Sequence, residues 1–208
     1  MELTANHVVL RGSLGCLPQF SHENHGRRFY AFPLEVERLS GTTDTLPVLA
    51  PLELLEQTPA AGGDTLCVTG QIRSYNNREP EGRRLVISVL AETMTLCSAA
   101  HDNRAELLGT ICRAPVYRRT PLGREICDVM LAVNRPYRRA DYLPCILWGK
   151  TAQECAQFHT RDVLQILGRL QSRGYTKVTE TGSENRTAYE ISALEAYRIF
   201  PEEKNSGL

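Results

Sequence analysis

The chain contains the same sequence pattern twice, at a fixed spacing of 97 residues, and this repeat constrains the fold more than any other feature. Four residues of the first copy recur in register in the second: Asn6, Leu10, Gly12 and Pro18 match Asn103, Leu107, Gly109 and Pro115. One inserted residue later restores the match between Asp64 and Asp162 and between Gly70 and Gly168. A constant spacing over so many positions indicates a duplicated domain. We therefore predict two domains, 1–97 and 103–200, with a linker at 98–102 and a frayed tail at 201–208.

Composition excludes several classes of protein. Seven cysteines without a C-x-x-C pair are an odd number, which favours neither a disulfide framework nor a zinc ribbon. No apolar stretch has the length of a membrane span or of a signal peptide, so we expect a reduced, cytoplasmic protein without a membrane partner. The two halves differ in charge: residues 1–102 carry 8 arginines against 12 acidic residues, and residues 103–208 carry 16 basic against 12 acidic residues. A polyanion would favour the second half.

Alternation of apolar and polar residues predicts an all-β protein. In the second copy it predicts strands at 104–114, 124–134, 141–148, 162–172 and 186–199, a polar loop at 174–185, and a short helix opened by a capping box, Thr151 to Glu154. The first copy repeats this order at 7–17, 27–38 and 45–50, with a helix near 51–58 and then strands at 65–73 and 83–93. Glycines bend the first and fourth strands. Three strands, a helix and two strands are the order of the OB-fold, so we predict two tandem OB-folds.

The sequence offers no sign of an enzyme, a metal site or a cofactor. Gly149, Lys150 and Thr151 end a strand and open a helix, but Pro144 stands where a phosphate-binding P-loop needs its first glycine. His22 and His25 lack a third ligand nearby and resemble a solvated loop. We find no nucleophile with a neighbouring base and no paired carboxylates.

Aromatic rings alternate with basic groups in the second copy. They fall at predicted strand ends and hairpins: Tyr117, Arg118, Arg119, Arg135, Tyr137, Arg138, Arg139, Tyr142, Trp148, Lys150, Arg173 and Tyr175. Unpaired nucleic acid requires this combination, because bases stack on rings and phosphates need cations. The alternative is that Tyr142 and Trp148 are core residues, as Tyr142 alternates with Leu143.

The second copy resembles the bacterial single-stranded DNA-binding proteins almost from end to end. The matching segments are Leu107-Leu-Gly109, Leu131-Ala-Val-Asn134, Trp148-Gly-Lys-Thr-Ala152, Gly168-Arg-Leu-Gln-Ser-Arg173-x-Tyr175 and Arg186-Thr-x-Tyr-Glu190. The resemblance implies base-stacking rings at Tyr137, Tyr142, Trp148 and Tyr175, and groove cations at Arg118, Lys150 and Arg173. We add Arg169, Arg138 and Arg139, which lie on or beside the same predicted strands.

The first copy departs from this pattern. Tyr137, Tyr142 and Trp148 are replaced there by Ser40, Thr45 and Pro51, and Arg73 and Tyr75 match Arg173 and Tyr175 only across a two-residue gap. We therefore expect the first domain to be a degenerate, structural or dimerising half, with Arg73 and Tyr75 as weaker contacts. The resemblance also implies four OB domains, hence a homodimer, whereas recruitment of replication enzymes through an acidic tail is not supported by the ending Lys204-Asn-Ser-Gly-Leu208.

Two alternatives to the binding of single-stranded DNA remain at this point. One is an interaction module of the primosomal type, which mainly docks a replication protein. The other is a nuclease that uses OB-folds to hold its substrate. Neither has a sequence feature of its own.

Overall fold

A computed structural model describes residues 5–79, 82–179 and 182–200. The predicted tail, 201–208, lies outside the described residues. The elements of the first copy are β1 (Asn6–Leu14), β2 (Gln19–Asn24), β3 (Arg27–Glu37), β4 (Thr43–Pro51), α1 (Leu52–Gln57), β5 (Thr65–Glu79) and β6 (Gly82–Leu96). Those of the second copy are β7 (Asp102–Ile111), β8 (Val116–Arg119), β9 (Glu125–Arg135), β10 (Arg139–Trp148), α2 (Gly149–Cys155), β11 (Val163–Thr179) and β12 (Gly182–Ile199).

Each copy closes into a five-stranded barrel. In the second copy β7 pairs with both β9 and β11, β11 pairs with β12, β12 runs parallel to β10, and β10 pairs with β9. The first copy has the same pairings among β1, β3, β4, β5 and β6. A short additional strand, β2 or β8, pairs with the edge of β3 or β9. This is the predicted pair of OB-folds.

Alternation along the strands fills each barrel with apolar side chains. In β11, Leu164, Ile166 and Leu170 are buried in the core, while Gln165, Leu167 and Arg169 point outward as predicted. The bending glycines lie where two strands come very close: a Cβ on Gly168 would stand 2.3 Å from the Ser192 carbonyl oxygen. A side chain at this position is excluded, which explains why both copies keep the glycine.

The two barrels are joined by continuous backbone pairing. β1 and β7 lie antiparallel, with Val8 opposite Ala105, so that one sheet runs from the first barrel into the second. Asp102, which the prediction placed in the linker, is the first residue of β7. The two copies therefore sit side by side through a strand pair rather than being separated by a flexible spacer.

Two local predictions are wrong. Within the polar segment 174–185, residues 174–179 and 182–185 are not a loop, because they belong to the paired strands β11 and β12, with Tyr175 opposite Arg186. Thr151 does not cap α2, which begins at Gly149 with Trp148 as its N-cap residue and without a side-chain capping bond. In the first copy, His22 lies within β2, and His25 lies in the turn that follows.

Candidate nucleic-acid interface

The outward side of the second barrel carries most of the predicted rings. β10 buries Leu143, Cys145 and Leu147 in the core, so the alternating positions Tyr142 and Trp148 face outward. The four predicted rings are exposed to 94% at Tyr137, 45% at Tyr142, 36% at Trp148 and 40% at Tyr175. The alternative of buried core rings is therefore wrong.

Strand register brings the outward residues of β10, β11 and β12 onto one surface. Arg169 is paired opposite Ser192, and Ser192 accepts a hydrogen bond of 3.1 Å from the indole Nε1 of Trp148. Arg173 and Tyr175 follow Arg169 on the same side of β11, because alternate residues of a strand share a face. We call this surface, formed by the outward residues of β8 to β12, the outer face of the second barrel.

The backbone around α2 sets the position of Trp148. Gly149 has φ of +54°, a left-handed conformation that favours glycine, so the chain turns sharply as it leaves β10. Trp148 is the last residue of the strand and lies opposite Ile126 of β9, which is buried although it is on the outward side of that strand. Lys150 follows two residues later in the first turn of α2, and its side chain is 89% exposed.

The cations of the outer face already have acidic partners. Arg118 donates to Asp128 at 2.6 Å, and this bond raises the pKa of the Arg118 guanidinium. Arg173 lies 3.5 Å from the buried carboxylate of Glu190, and Lys150 lies 3.7 Å from Glu154. A phosphate that binds here must therefore compete with carboxylates of the protein itself.

The turn between β9 and β10 projects a ring and two cations. Tyr137 and Arg138 both adopt left-handed backbone conformations, with φ of +61° and +54°, and Arg139 begins β10. Adjacent non-glycine residues in this region are uncommon, and here they close the tight turn between the paired strands β9 and β10. Arg135 at its base is held by the carboxylate of Asp141 at 3.3 Å.

The first barrel has a different outer face. Pro51 and Leu90 occupy the positions of Trp148 and Ser192, and an open groove of about 710 Å³ lies there, with Phe29, Tyr75 and Leu90 among its walls. His22 stacks on Phe29 with ring centroids 5.1 Å apart. Sequence reasoning missed this ring pair, which lies on β2 and β3.

The predicted weaker contacts of the first barrel, Arg73 and Tyr75, differ in their surroundings. Arg73 is directed away from solvent, to the carboxylate of Asp141 in the second barrel, at 3.1 Å. Tyr75 is 58% exposed. Ser74 and Ser172 each bind an aspartate of the other barrel, so these two serines are structural counterparts. Tyr75 follows Ser74 as Arg173 follows Ser172, so the two barrels align here without the two-residue gap.

A pair of buried aspartates joins the barrels reciprocally. Asp44 of β4 accepts the backbone N–H of Ser172 at 2.7 Å, and Asp141 of β10 accepts the backbone N–H of Ser74 at 2.7 Å. Arg38 donates twice to Asp44, at 2.7 and 2.6 Å. The equivalent aspartate of each barrel thus binds the equivalent serine of the other barrel, as in a symmetric dimer whose two subunits are fused. We call these two sites the aspartate clamps.

The described residues contain no group of three potential ligands that could hold a metal ion. Neither of the two helices described is long and apolar enough to cross a lipid bilayer.

Comparison with known proteins agrees with this geometry. Residues 102–199 match the model of the single-strand binding protein family. A single-stranded DNA-binding protein of Deinococcus radiodurans is 26% identical over 97% of this chain and 78% of its own length. Single-stranded DNA-binding protein 3 of Listeria innocua is 31% identical over 50% of this chain and 67% of its own length.

The fold of both copies together also occurs among solved structures. The single-stranded DNA binding protein from Thermus aquaticus superimposes with a TM-score of 0.72 at 22% identity, covering 97% of this chain and 96% of the other. Taken with the family match over the second barrel and the Listeria relative, these findings establish that the chain belongs to the single-strand binding protein family.

Proposed function

We propose that the chain binds single-stranded DNA with little sequence preference, and that the outer face of the second barrel supplies most of the contacts. The observation that carries the proposal is the exposure of Tyr142, Trp148 and Tyr175 on one surface with Arg118, Lys150 and Arg173. Rings stack on any base, and cations attract any phosphate, which explains binding without sequence readout. Arg169 and the turn residues Tyr137, Arg138 and Arg139 extend this surface at its two ends.

Membership in a family of DNA-binding proteins agrees with the prediction that the chain is not an enzyme. Its role would be to protect unpaired strands during replication, recombination or repair, at the nucleoid in the cytoplasm. In this proposal the first barrel contributes less, because its β4 lacks both outward rings and Arg73 is bound to Asp141.

Trp148 is the only tryptophan in the chain, so its fluorescence reports on the second barrel alone. Titration with oligo-dT should quench it strongly at low salt, and the affinity should fall as salt rises, by roughly 0.7 log unit per log unit of salt for each phosphate contacted. Unquenched fluorescence at low salt, together with stoichiometric capture of a replication protein without DNA, would instead favour the interaction module.

Two tyrosine variants, one in each barrel, test how the DNA contacts are divided between the barrels. Tyr175→Ala should weaken oligo-dT binding by ~1–3 kcal/mol, the contribution of one base stacked on a ring. Tyr75→Ala, an exposed tyrosine of the first barrel, should change it little. Equal losses in the two variants would show that both barrels share the strand.

We also propose that two chains form a homodimer through the sheet that joins the barrels. His7 and Val9 on β1 and Leu167 on β11 face outward around a depression of about 410 Å³, and Leu194 beside it is 68% exposed. A second copy would cover the apolar side chains of Val9, Leu167 and Leu194. Sedimentation equilibrium should give twice the chain mass, and Leu167→Glu together with Leu194→Glu should give the monomer; an unchanged mass would refute this surface.

A further inference from the structure

One polar residue of the outer face has no polar counterpart in the first barrel and forms a hydrogen bond with a ring that we predict to stack on bases. The indole Nε1 of Trp148 donates to Ser192 Oγ at 3.1 Å, and Ser192 is only 4% exposed. The serine lies in the middle of β12, with strands on both sides, opposite Ile146 of β10 and Arg169 of β11. Backbone pairing on both sides therefore holds Ser192 in place, whereas Trp148 is the last residue of β10 and is 36% exposed.

We propose that Ser192 is a positioning residue for Trp148. Its hydroxyl fixes the indole in one orientation, with the N–H end turned inward and a ring face left open. This inference rests on the proposed function, since it assigns the fixed ring to base stacking. A side chain that is already ordered loses less conformational freedom on binding, so the bond increases affinity without touching DNA.

The hydrogen bond has a second consequence for recognition. An indole carries one donor and no acceptor, and in Trp148 that donor is satisfied within the protein. The ring therefore offers a base its π-face and no hydrogen bond. Such a surface accepts all four bases, as a protein that protects strands of any sequence requires.

The duplication supplies an internal comparison. Pro51 stands at the position of Trp148, opposite Phe29 of β3, and Leu90 stands at the position of Ser192, opposite Gln71 of β5. The barrel without the indole also lacks the hydroxyl. Both copies form the same barrel, but only the copy with the tryptophan has the serine. Ser192 is therefore associated with Trp148 and is not required by the barrel fold.

Two substitutions of the same shape isolate the hydroxyl. Ser192→Thr keeps the oxygen and Ser192→Val removes it, while both add the same branched bulk to the site. Urea unfolding of each variant shows whether it is folded. The first readout is the time-resolved anisotropy of Trp148 in the absence of DNA. Ser192→Val should add a subnanosecond depolarisation that wild type and Ser192→Thr lack.

The second readout is the dissociation constant for fluorescein-labelled oligo-dT. Ser192→Val should bind about fivefold more weakly than Ser192→Thr, which corresponds to the ~1 kcal/mol of an ordinary hydrogen bond. In a Trp148→Phe background, which keeps a ring but has no N–H, the same pair of substitutions should differ by less than twofold. This non-additivity would not arise if Ser192 merely supported the barrel.

Each alternative result would overturn the proposal. Equal anisotropy decays in the two folded variants would show that the hydroxyl does not restrain the indole. An equal affinity loss in the Trp148→Phe background would show that Ser192 acts by another route. Failure of the wild-type protein to bind oligo-dT at all would refute the proposed function, while the anisotropy comparison would still decide whether Ser192 orients Trp148.

Discussion

Replacing Asp44 by alanine should destabilise the protein by about 3–5 kcal/mol, the usual cost of removing one partner from a buried ion pair. The Asp44 carboxylate is fully buried and accepts four hydrogen bonds, two from Arg38 and two from Ser172. Alanine would leave a guanidinium that is 20% exposed without its acid, and it would leave a backbone N–H of the other barrel without an acceptor. For a chain of about 200 residues, this loss corresponds to a fall of roughly 10 °C in the unfolding midpoint.

Two spectroscopic probes of the same Asp44→Ala sample show which barrel is destabilised. Trp148 fluorescence follows the second barrel, whereas far-ultraviolet circular dichroism follows both. Asp44 belongs to the first barrel but holds Ser172 of the second, so both signals should shift together in urea. A fluorescence transition that stays at the wild-type midpoint while the dichroism shifts would show that the barrels unfold independently.

Two further variants serve as controls. Asp141→Ala removes the equivalent clamp and should cost a similar amount, because it leaves Arg73, Arg135 and the Ser74 N–H without their acceptor. Glu53→Ala breaks an exposed pair with Arg27 and should leave the midpoint unchanged. If Asp44→Ala behaves like Glu53→Ala, the clamps do not stabilise the joint, and the reasoning is wrong.

Three other changes have defined outcomes. Asp128→Asn releases Arg118 from its ion pair, so oligo-dT should bind more tightly at low salt, with a steeper salt dependence by roughly 0.7 per phosphate gained. Gly168→Ala places a Cβ 2.3 Å from a β12 carbonyl oxygen and should cost about 1–3 kcal/mol in urea unfolding. Burial raises the pKa of the Cys155 thiol to about 12, so iodoacetamide at pH 8 should modify exposed Cys16 and spare Cys155 by mass spectrometry. The pKa of Cys155 in the folded state exceeds the unfolded value of about 8.5. The contribution of the protonated thiol to the free energy of unfolding is therefore fully present below about pH 8.5 and is lost as the pH rises towards 12.

The barrels were predictable because their strands have one face in the core. Apolar alternation located all ten strands that close the barrels, and the repeat marked the glycines Gly12, Gly70, Gly109 and Gly168. A Cβ on any of these four would lie within 3 Å of a backbone oxygen on a neighbouring strand. Residues that both barrels need recur at the repeat spacing, so they can be identified from the sequence.

The long hairpin was not predictable by the same method. Beyond Gln171 and Glu190, β11 and β12 leave the barrel, and most side chains of this ribbon are exposed on both sides. A strand without a buried face has no apolar alternation, and its polar residues favour a loop. The prediction failed there because backbone pairing with a neighbouring strand, rather than side-chain burial, holds that ribbon.

The aspartate clamps were also missed, although the sequence contains a sign of them. Asp44 and Asp141 are separated by the repeat spacing, as are Arg38 and Arg135. Sequence alone nevertheless predicts that charged residues of this kind lie on the solvent-exposed surface. Their meaning depends on the other barrel, since each carboxylate binds Ser74 or Ser172 across the joint. Only the arrangement of the two copies in space shows that these groups are buried.

Comparison of the two copies therefore distinguishes residues that hold the barrels together from residues of the outer faces. At the joint, a change in either copy leaves a buried partner in the other unpaired, so Asp44 and Asp141 have to be kept together. On the outer faces the copies differ: Trp148 stands with Ser192 in one, and Pro51 stands with Leu90 in the other. By this reasoning the first barrel is retained because it holds β11 of the second in place, even though its β4 lacks the outward rings of β10. An Asp44→Ala variant that is still folded should accordingly bind oligo-dT more weakly than wild type, although Asp44 lies in the barrel that we expect to contribute less to the DNA contact.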